Sequence, residues 1–421
     1  MRPLLFLILL LTSTLFAQPK LESLSSIPSA TLDSLNDTAG SFGSGATYDP
    51  STKTLYLTTD RGPGDGNIDF SPRLYSIPLP PDEKNIASAI QSHLSAHLYK
   101  DSDGKPFTGL IPNSLDPEPR MKDGRRCLDP EGLALMEDGN LLLCEEYMPS
   151  ILQFKPDGTF MARLIPLENY FPRNPITGEI DFREAADRTE GREDNRGFEG
   201  VALSPDGKTL YAILQSALTQ DGGKDAGATR LLVFDAFSGT PKSEYAVHFT
   251  DPASLPEGGK KLKTKNLVFS DLLCLPDGRL LALERDNRGQ DGSTKPKVAI
   301  FKSVCVLDLT SATDLLSLPD KPYSLRKTDP KFKPLNATQP IEYVKKNLLF
   351  DFRDLDLPSQ GLAWDQIPEK WEGLALLSLD RLLVLSDNDF LTPELTINGK
   401  KIPFPKCQTA VPTYLFTIKL R

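Results

Sequence analysis

The chain has 421 residues, of which 39% are hydrophobic and 25% charged, the balance of an ordinary soluble globular protein. That balance excludes a collagen, a disordered tail and a polytopic membrane protein. A net charge of −9 argues against nucleic acid as a partner and suits cations. Thirty-six Pro and 29 Gly punctuate the chain densely, and turn-rich chains lean towards β-structure. Three His, at His93, His97 and His248, leave little for a mechanism that needs a His base.

The N-terminus reads as a secretory signal peptide over residues 1–17. Arg2 precedes the apolar run Leu4–Leu11, and the small residue Ala17 ends the segment. The run is shorter than the roughly 20 residues of a membrane span, and no later segment is long and apolar enough to cross. The expectation is a secreted or periplasmic protein, a monomer with no membrane span after signal removal. Residues 18–421 then form one domain. Five Cys with no CxxC pair give no metal-binding or disulfide pattern.

Five stretches resemble one another. Ser44-Gly45-Ala46 leads to Leu55–Asp60, Glu131-Gly132-Leu133 to Leu141–Glu146, and Glu199-Gly200-Val201 to Leu210–Leu214. Ser270-Asp271-Leu272 leads to Leu280–Glu284, and Glu372-Gly373-Leu374 to Leu382–Asp387. Each copy is two apolar runs joined by a turn, most often Asp-Gly. Gly supplies positive φ and Asp bonds its own turn backbone, so each copy is a β-hairpin. A hairpin cannot bury its own face, but a ring of four-stranded blades can. The copies start about 70 to 100 residues apart, longer than a minimal repeat, so loops are inserted. The expected fold is all-β, a β-propeller of about six blades, with Tyr343–Phe352 as a candidate for an unmarked blade. A short helical insertion is expected across Asp82–Tyr99. Two stacked β-domains are the competing architecture.

Acidic residues recur at the blade starts and hairpin ends. Glu131, Glu199 and Glu372 share one register, and Asp60, Glu145, Glu146, Glu284 and Asp387 end second strands. Both positions lie at the same edge of a hairpin, so ring symmetry gathers these carboxylates on one rim. Clustered carboxylates repel unless a cation or Arg neutralises them. Oxygen ligands without His or paired Cys favour Ca²⁺. The competing reading is that each acid accepts backbone N–H bonds and pins its blade. Arg61, Arg196 and Arg285 follow these acids, and the planar fork of Arg suits phosphate or carboxylate. For each, pairing with a channel carboxylate is the plainer alternative.

Together these residues resemble the secreted phytase-like propeller family, described as having esterase-like activity of phytase. The resemblance rests on Asp60-Arg61-Gly62, Asp129-Pro130-Glu131-Gly132, Glu145-Glu146-Tyr147, Asn195-Arg196-Gly197-Phe198-Glu199-Gly200, Glu284-Arg285-Asp286 and Ser386-Asp387-Asn388-Asp389, in order from about Phe42 to Phe390. More distantly, the chain is similar to the alkaline calcium phytases. That likeness implies Glu131, Glu145, Glu146 and Glu199 as calcium ligands. Tyr147 stands where those enzymes carry Asp, and Gly197 where they carry an acidic ligand.

The resemblance implies a Ca²⁺-dependent hydrolase acting on a small-molecule phosphoric ester or other anionic ligand. Glu131, Glu145, Glu146, Glu199, Glu372 and Asp387 are the candidate metal ligands, and Arg61, Arg196 and Arg285 the phosphate clamps. The alternatives are a non-catalytic secreted binding propeller and a lactonase-type metal-dependent hydrolase.

Overall fold

The structure is a computed structural model and describes residues 18–184, 188–255, 262–319, 325 and 341–420. The signal segment expected over 1–17 lies outside the described residues. Blade one comprises β2 (Gly45–Asp49), β3 (Thr54–Thr58), β4 (Arg73–Pro78) and β5 (Ser95–Leu98). Blade two comprises β6 (Pro130–Leu135), β7 (Leu141–Glu145), β8 (Ser150–Phe154) and β9 (Phe160–Leu164). Blade three comprises β10 (Phe198–Leu203), β11 (Thr209–Leu214), β12 (Ala228–Asp235) and β13 (Pro241–His248). Blade four comprises β14 (Leu267–Cys274), β15 (Leu280–Asp286), β16 (Lys302–Asp308) and β17 (Lys345–Asp351). Blade five comprises β18 (Lys370–Ser378), β19 (Arg381–Asp387), β22 (Thr413–Lys419) and β1 (Lys20–Ile27). A separate hairpin, β20 (Glu394–Ile397) with β21 (Lys400–Pro403), is inserted before β22.

The chain is therefore an all-β propeller, with five four-stranded blades among the described residues rather than about six. The wide spacing between copies is taken up by loops. The stretch Tyr343–Phe352, a candidate for a further blade, supplies β17 and pairs with β16 at the outer edge of blade four. The helix expected across Asp82–Tyr99 is confined to Ile86–Ser92, where the Asn85 side chain accepts from Ser88 N at 3.1 Å. The segment Ser95–Leu98 instead pairs with β4 as an outer strand.

Local chemistry explains the hairpins. Gly139, Gly207 and Gly278 have φ of 83°, 68° and 87°, which an L side chain resists. The preceding Asp accepts the backbone N–H two residues on, as Asp138 does from Asn140 at 3.0 Å and Asp206 from Lys208 at 3.1 Å. These are the self-bonded turns that Asp-Gly favours.

Burial explains the ring. Leu133 and Leu143 of blade two join Tyr56 and Leu74 of blade one in one apolar cluster. Similar clusters fill the junctions between blades two and three, three and four, four and five, and five and one. Each blade buries most of its apolar face against its neighbours. The ring closes through β1, which pairs antiparallel with β22 from Lys20–Lys419 to Ile27–Thr413. The first described strand thus completes the last blade, so opening the ring would cost a whole ladder of hydrogen bonds.

The inner strands β2, β6, β10, β14 and β18 contact one another in sequence around the axis. They approach so closely that side chains are excluded at one level. A Cβ on Gly132 would lie 2.9 Å from Gly200 Cα, and one on Gly200 would lie 2.5 Å from Leu272 N. Gly45 and Gly373 hold the same register in blades one and five. In blade four the residue is Asp271, and its carboxylate closes the axis. Asp271 is fully buried and accepts from Leu272 N at 2.8 Å and from Leu374 N of blade five at 2.7 Å. Burial pushes its pKa well up.

Gly200→Ala is expected to destabilise the protein by about 2 to 3 kcal/mol, because the obstructing atoms are backbone and cannot rotate away. Equilibrium unfolding in denaturant measures it, and an unchanged midpoint would contradict the close approach.

Candidate functional site

The acids reach the axis through β-bulges. In β10, Phe198 faces Leu214 and Gly200 faces Ile213, which leaves Glu199 as the extra residue. Glu372 is the extra residue between Trp371 and Gly373, and Ser270 the one between Phe269 and Asp271. In β6 the register breaks between Pro130 and Leu133, around Glu131. A bulge re-aims one side chain while its neighbours keep their faces. The apolar residues on either side thus stay in the blade junctions while the extra residue turns to the axis.

Three carboxylates converge beside the axis, one of them on a bulge. Asp129, Glu131 and Glu146 each place an oxygen within 4.8 Å of the others. Glu199 adjoins them and is itself buried. Burial raises the pKa of Glu131 well above the ordinary carboxylate range, and the neighbouring charges of Glu199, Asp129 and Glu146 add to it. Burial and then Glu146 do the same to Glu199. Asp129 is raised by burial despite Arg61 beside it.

The hydrogen bonds leave a deficit here. Glu146 Oε1 accepts Gly197 N at 3.0 Å, and Glu199 Oε1 accepts the Gln215 side chain. Glu199 Oε2 and Asp129 Oδ2 are buried without a hydrogen-bond partner. Arg61 Nε stands 3.6 Å from Asp129 Oδ2, an ion pair too long for a hydrogen bond. Buried unsatisfied oxygens in a group of carboxylates are costly, and a hard divalent cation fits them. The residues able to hold one are Asp129, Glu131, Glu146 and Glu199.

Glu145, expected among the ligands, does not join this group. Its Oε2 accepts Tyr147 N at 2.9 Å, and its Oε1 accepts Met148 N at 2.8 Å and Arg163 Nη1 at 3.1 Å. Glu145 ends β7 and Glu146 begins the turn after it, and the two carboxylates part, Glu146 to Gly197 and Glu145 to its own turn. Glu145 pins its blade, as Glu284 does with Thr250 and Lys346 in blade four. Glu372 pairs with Arg285. Asp387 belongs to a second group, with Asp60 and Asp389. Burial, then Glu372, raises the pKa of Asp387 to about 6.

The three arginines differ. Arg61 is committed: its Nη1 meets Glu184 Oε1 at 2.6 Å, and its backbone N donates to Asp129 Oδ1 at 2.9 Å. Arg285 binds Glu372 and donates to Asn287 Oδ1 at 2.7 Å, but its Nε is buried without a partner. Arg196 lies near Glu146 and Glu199, and its Nη1 is likewise buried and unbonded.

Asp129, Asp389 and Lys370 were not among the site residues expected from the sequence. Asp129 and Asp389 stood only within the motifs that carry the family resemblance, and Lys370 had no signal beyond standing two residues before a repeat Glu. Gly197, in place of an acidic ligand, has a steric cause. A Cβ there would lie 2.5 Å from Glu146 Cα, so the ligand strand of blade two leaves no room for a side chain.

Sequence comparison agrees with this architecture. A model of the phytase-like family, described as esterase-like activity of phytase, matches residues 38–390. The chain belongs to the phytase-like family. An uncharacterized secreted protein of Arthroderma benhamiae is 28% identical over 451 residues, covering 88% of this chain and 86% of that protein. Among solved structures, the calcium-binding protein regucalcin of Agrobacterium tumefaciens is 13% identical with a TM-score of 0.33, covering 96% of each chain. A gluconolactonase of Xanthomonas campestris is 12% identical with a TM-score of 0.33, covering 96% of this chain and 95% of that one. At that distance neither carries a functional argument. No helix among the described residues is long and apolar enough to cross a membrane.

The raised carboxylates fix the pH response of this phytase-like chain. A folded state that holds its protons above the unfolded pKa loses stability as pH rises between the two values. In chelator, the unfolding temperature is expected to fall as pH rises from about 4 through about 6, where Asp387 titrates. Lowered carboxylates such as Asp181, at about 2 beside Arg183, act only at lower pH. Scanning calorimetry checks this, and a temperature that climbs across the window would refute it.

Proposed function

We propose that this phytase-like propeller is a secreted, Ca²⁺-dependent hydrolase of small-molecule phosphoric esters, acting as a monomer. The ion would be held by Asp129, Glu131, Glu146 and Glu199, and the phosphoryl group by Arg196 and Arg285. One observation carries the reading. Buried oxygens lacking a partner, Glu199 Oε2 and Asp129 Oδ2, occur in the same rim as buried arginine N–H groups lacking one, Arg196 Nη1 and Arg285 Nε. A cation and an oxyanion arriving together satisfy both sets. The donor group is all carboxylate, which favours calcium over zinc. Secretion accords with the apolar leader and with the name of the Arthroderma benhamiae relative.

When bound, the ion supplies positive charge that offsets the charge developing on the transferred phosphoryl group. The protein supplies the rest. Arg196 and Arg285 donate N–H groups from fixed positions, so little reorganisation accompanies binding. Glu372 holds the Arg285 guanidinium, and Arg61 holds Asp129. Asp271 accepts Leu374 N of blade five and so ties two inner strands together beside the site. Without the ion, the acidic rim repels an anionic ester.

Phosphate release from p-nitrophenyl phosphate and from phytate, measured with Ca²⁺ and with excess chelator, tests the reading. Release is expected to vanish in chelator and return with Ca²⁺. Glu131→Gln and Glu199→Gln should each lower kcat/KM on the order of 10²-fold or more, and Arg196→Met should act similarly with KM rising. Release that survives chelator would refute the mechanism, as would lactone hydrolysis without phosphate release. A protein inert in both assays that captures a specific partner would point to a binding platform.

A further inference from the structure

The rim carries a second carboxylate group whose charge is met in a different way. Asp60, Asp387 and Asp389 each place an oxygen within 4.8 Å of the others. Unlike the axial group, none of its oxygens is buried and unbonded. Asp387 Oδ2 accepts the hydroxyls of Ser41 at 2.6 Å and Ser44 at 2.9 Å, and its Oδ1 accepts Asp389 N at 2.8 Å. Asp60 Oδ1 accepts Gly62 N at 2.7 Å. Asp389 Oδ1 accepts Lys370 Nζ at 2.6 Å. Lys370 opens β18, and its charge faces Asp389, Glu372, Asp387 and Asp60.

We propose that the Lys370 ammonium is the resident cation of the Asp60–Asp387–Asp389 triad. It occupies the place of a second metal ion, so the chain binds a single divalent cation, at the axial group. An ammonium is a compact charge with three donors and no acceptor, and only one of those donors is taken up by Asp389. A divalent ion placed among the same oxygens would sit within a few ångströms of that ammonium, and their repulsion makes the two exclusive occupants. The covalently attached charge also survives chelation, so this half of the rim keeps its arrangement when the ion leaves. The single-ion count for the natural chain rests on the cation reading given above. The role of Lys370 does not.

Equilibrium dialysis of the full mature chain against Ca²⁺, with bound metal counted by atomic emission, tests both separately. The natural chain is expected to hold one ion, Glu131→Gln none, Asp387→Asn one, and Lys370→Met two. A folded Lys370→Met protein that gains no ion overturns the proposal. So does a natural chain that holds two ions and loses one in Asp387→Asn. Should Lys370→Met fail to fold, the Asp387→Asn count decides: an unchanged count supports the ammonium, and a lower one refutes it. If the natural chain binds none while Lys370→Met binds one, Lys370 keeps its role and the axial reading fails.

Discussion

The close approach of five inner strands at one axis governs this molecule. Strands can meet there only where side chains are absent, and Gly132 and Gly200 show how little room remains. The same constraint makes the site. In four of the five blades the chain bulges at this level, and the extra residue projects towards the axis. In three of the five blades that residue is Glu. Close packing and a concentration of negative charge are thus two results of one geometry.

Such concentration is unfavourable unless it is offset, and the offsets are unequal. Glu145 and Glu284 face away and are bonded by N–H groups and by Arg163 or Lys346. Glu372 receives Arg285, and the Asp389 side of the rim receives Lys370. Where Asp129, Glu131, Glu146 and Glu199 meet, Arg61 covers one flank of Asp129 and two oxygens stay unpaired. Charge matching inside the protein is thus incomplete at this group, which is where the proposed cation would sit. Counting acids could not locate it, because the rim is acidic all round.

The repeats were legible because hairpin chemistry is local: an Asp-Gly pair between two apolar runs states its own turn. Blade membership was not, since pairing of Lys345–Asp351 with β16 is set by partners some forty residues away in sequence. The first-strand acids were legible by register. The second-strand pair Glu145-Glu146 was ambiguous, because which of two adjacent residues faces the axis depends on strand phase. Bulges were invisible for the same reason, since an extra residue shows only once the opposite strand is aligned. Lys370 went unread, and Asp129 was read as motif but not as site, because flanking residues in a repeat look like linker until the loops are folded over the rim.

The order of the blades supplies the last step. The residue before the level of close approach reads Ser44, Glu131, Glu199, Ser270 and Glu372 around the ring. Glu131 and Glu199 are therefore neighbours, on adjacent blades, and the charge of Glu199 raises the proton affinity of Glu131. Glu372 lies between two serine blades. It finds Arg285 from one side, while Ser44 on the other side bonds Asp387. A regular ring with five glutamates would spread its charge evenly and hold no ion in particular. Serine at two of the five positions breaks the symmetry: Glu131 and Glu199 stand side by side, while Glu372 is met from within by Arg285.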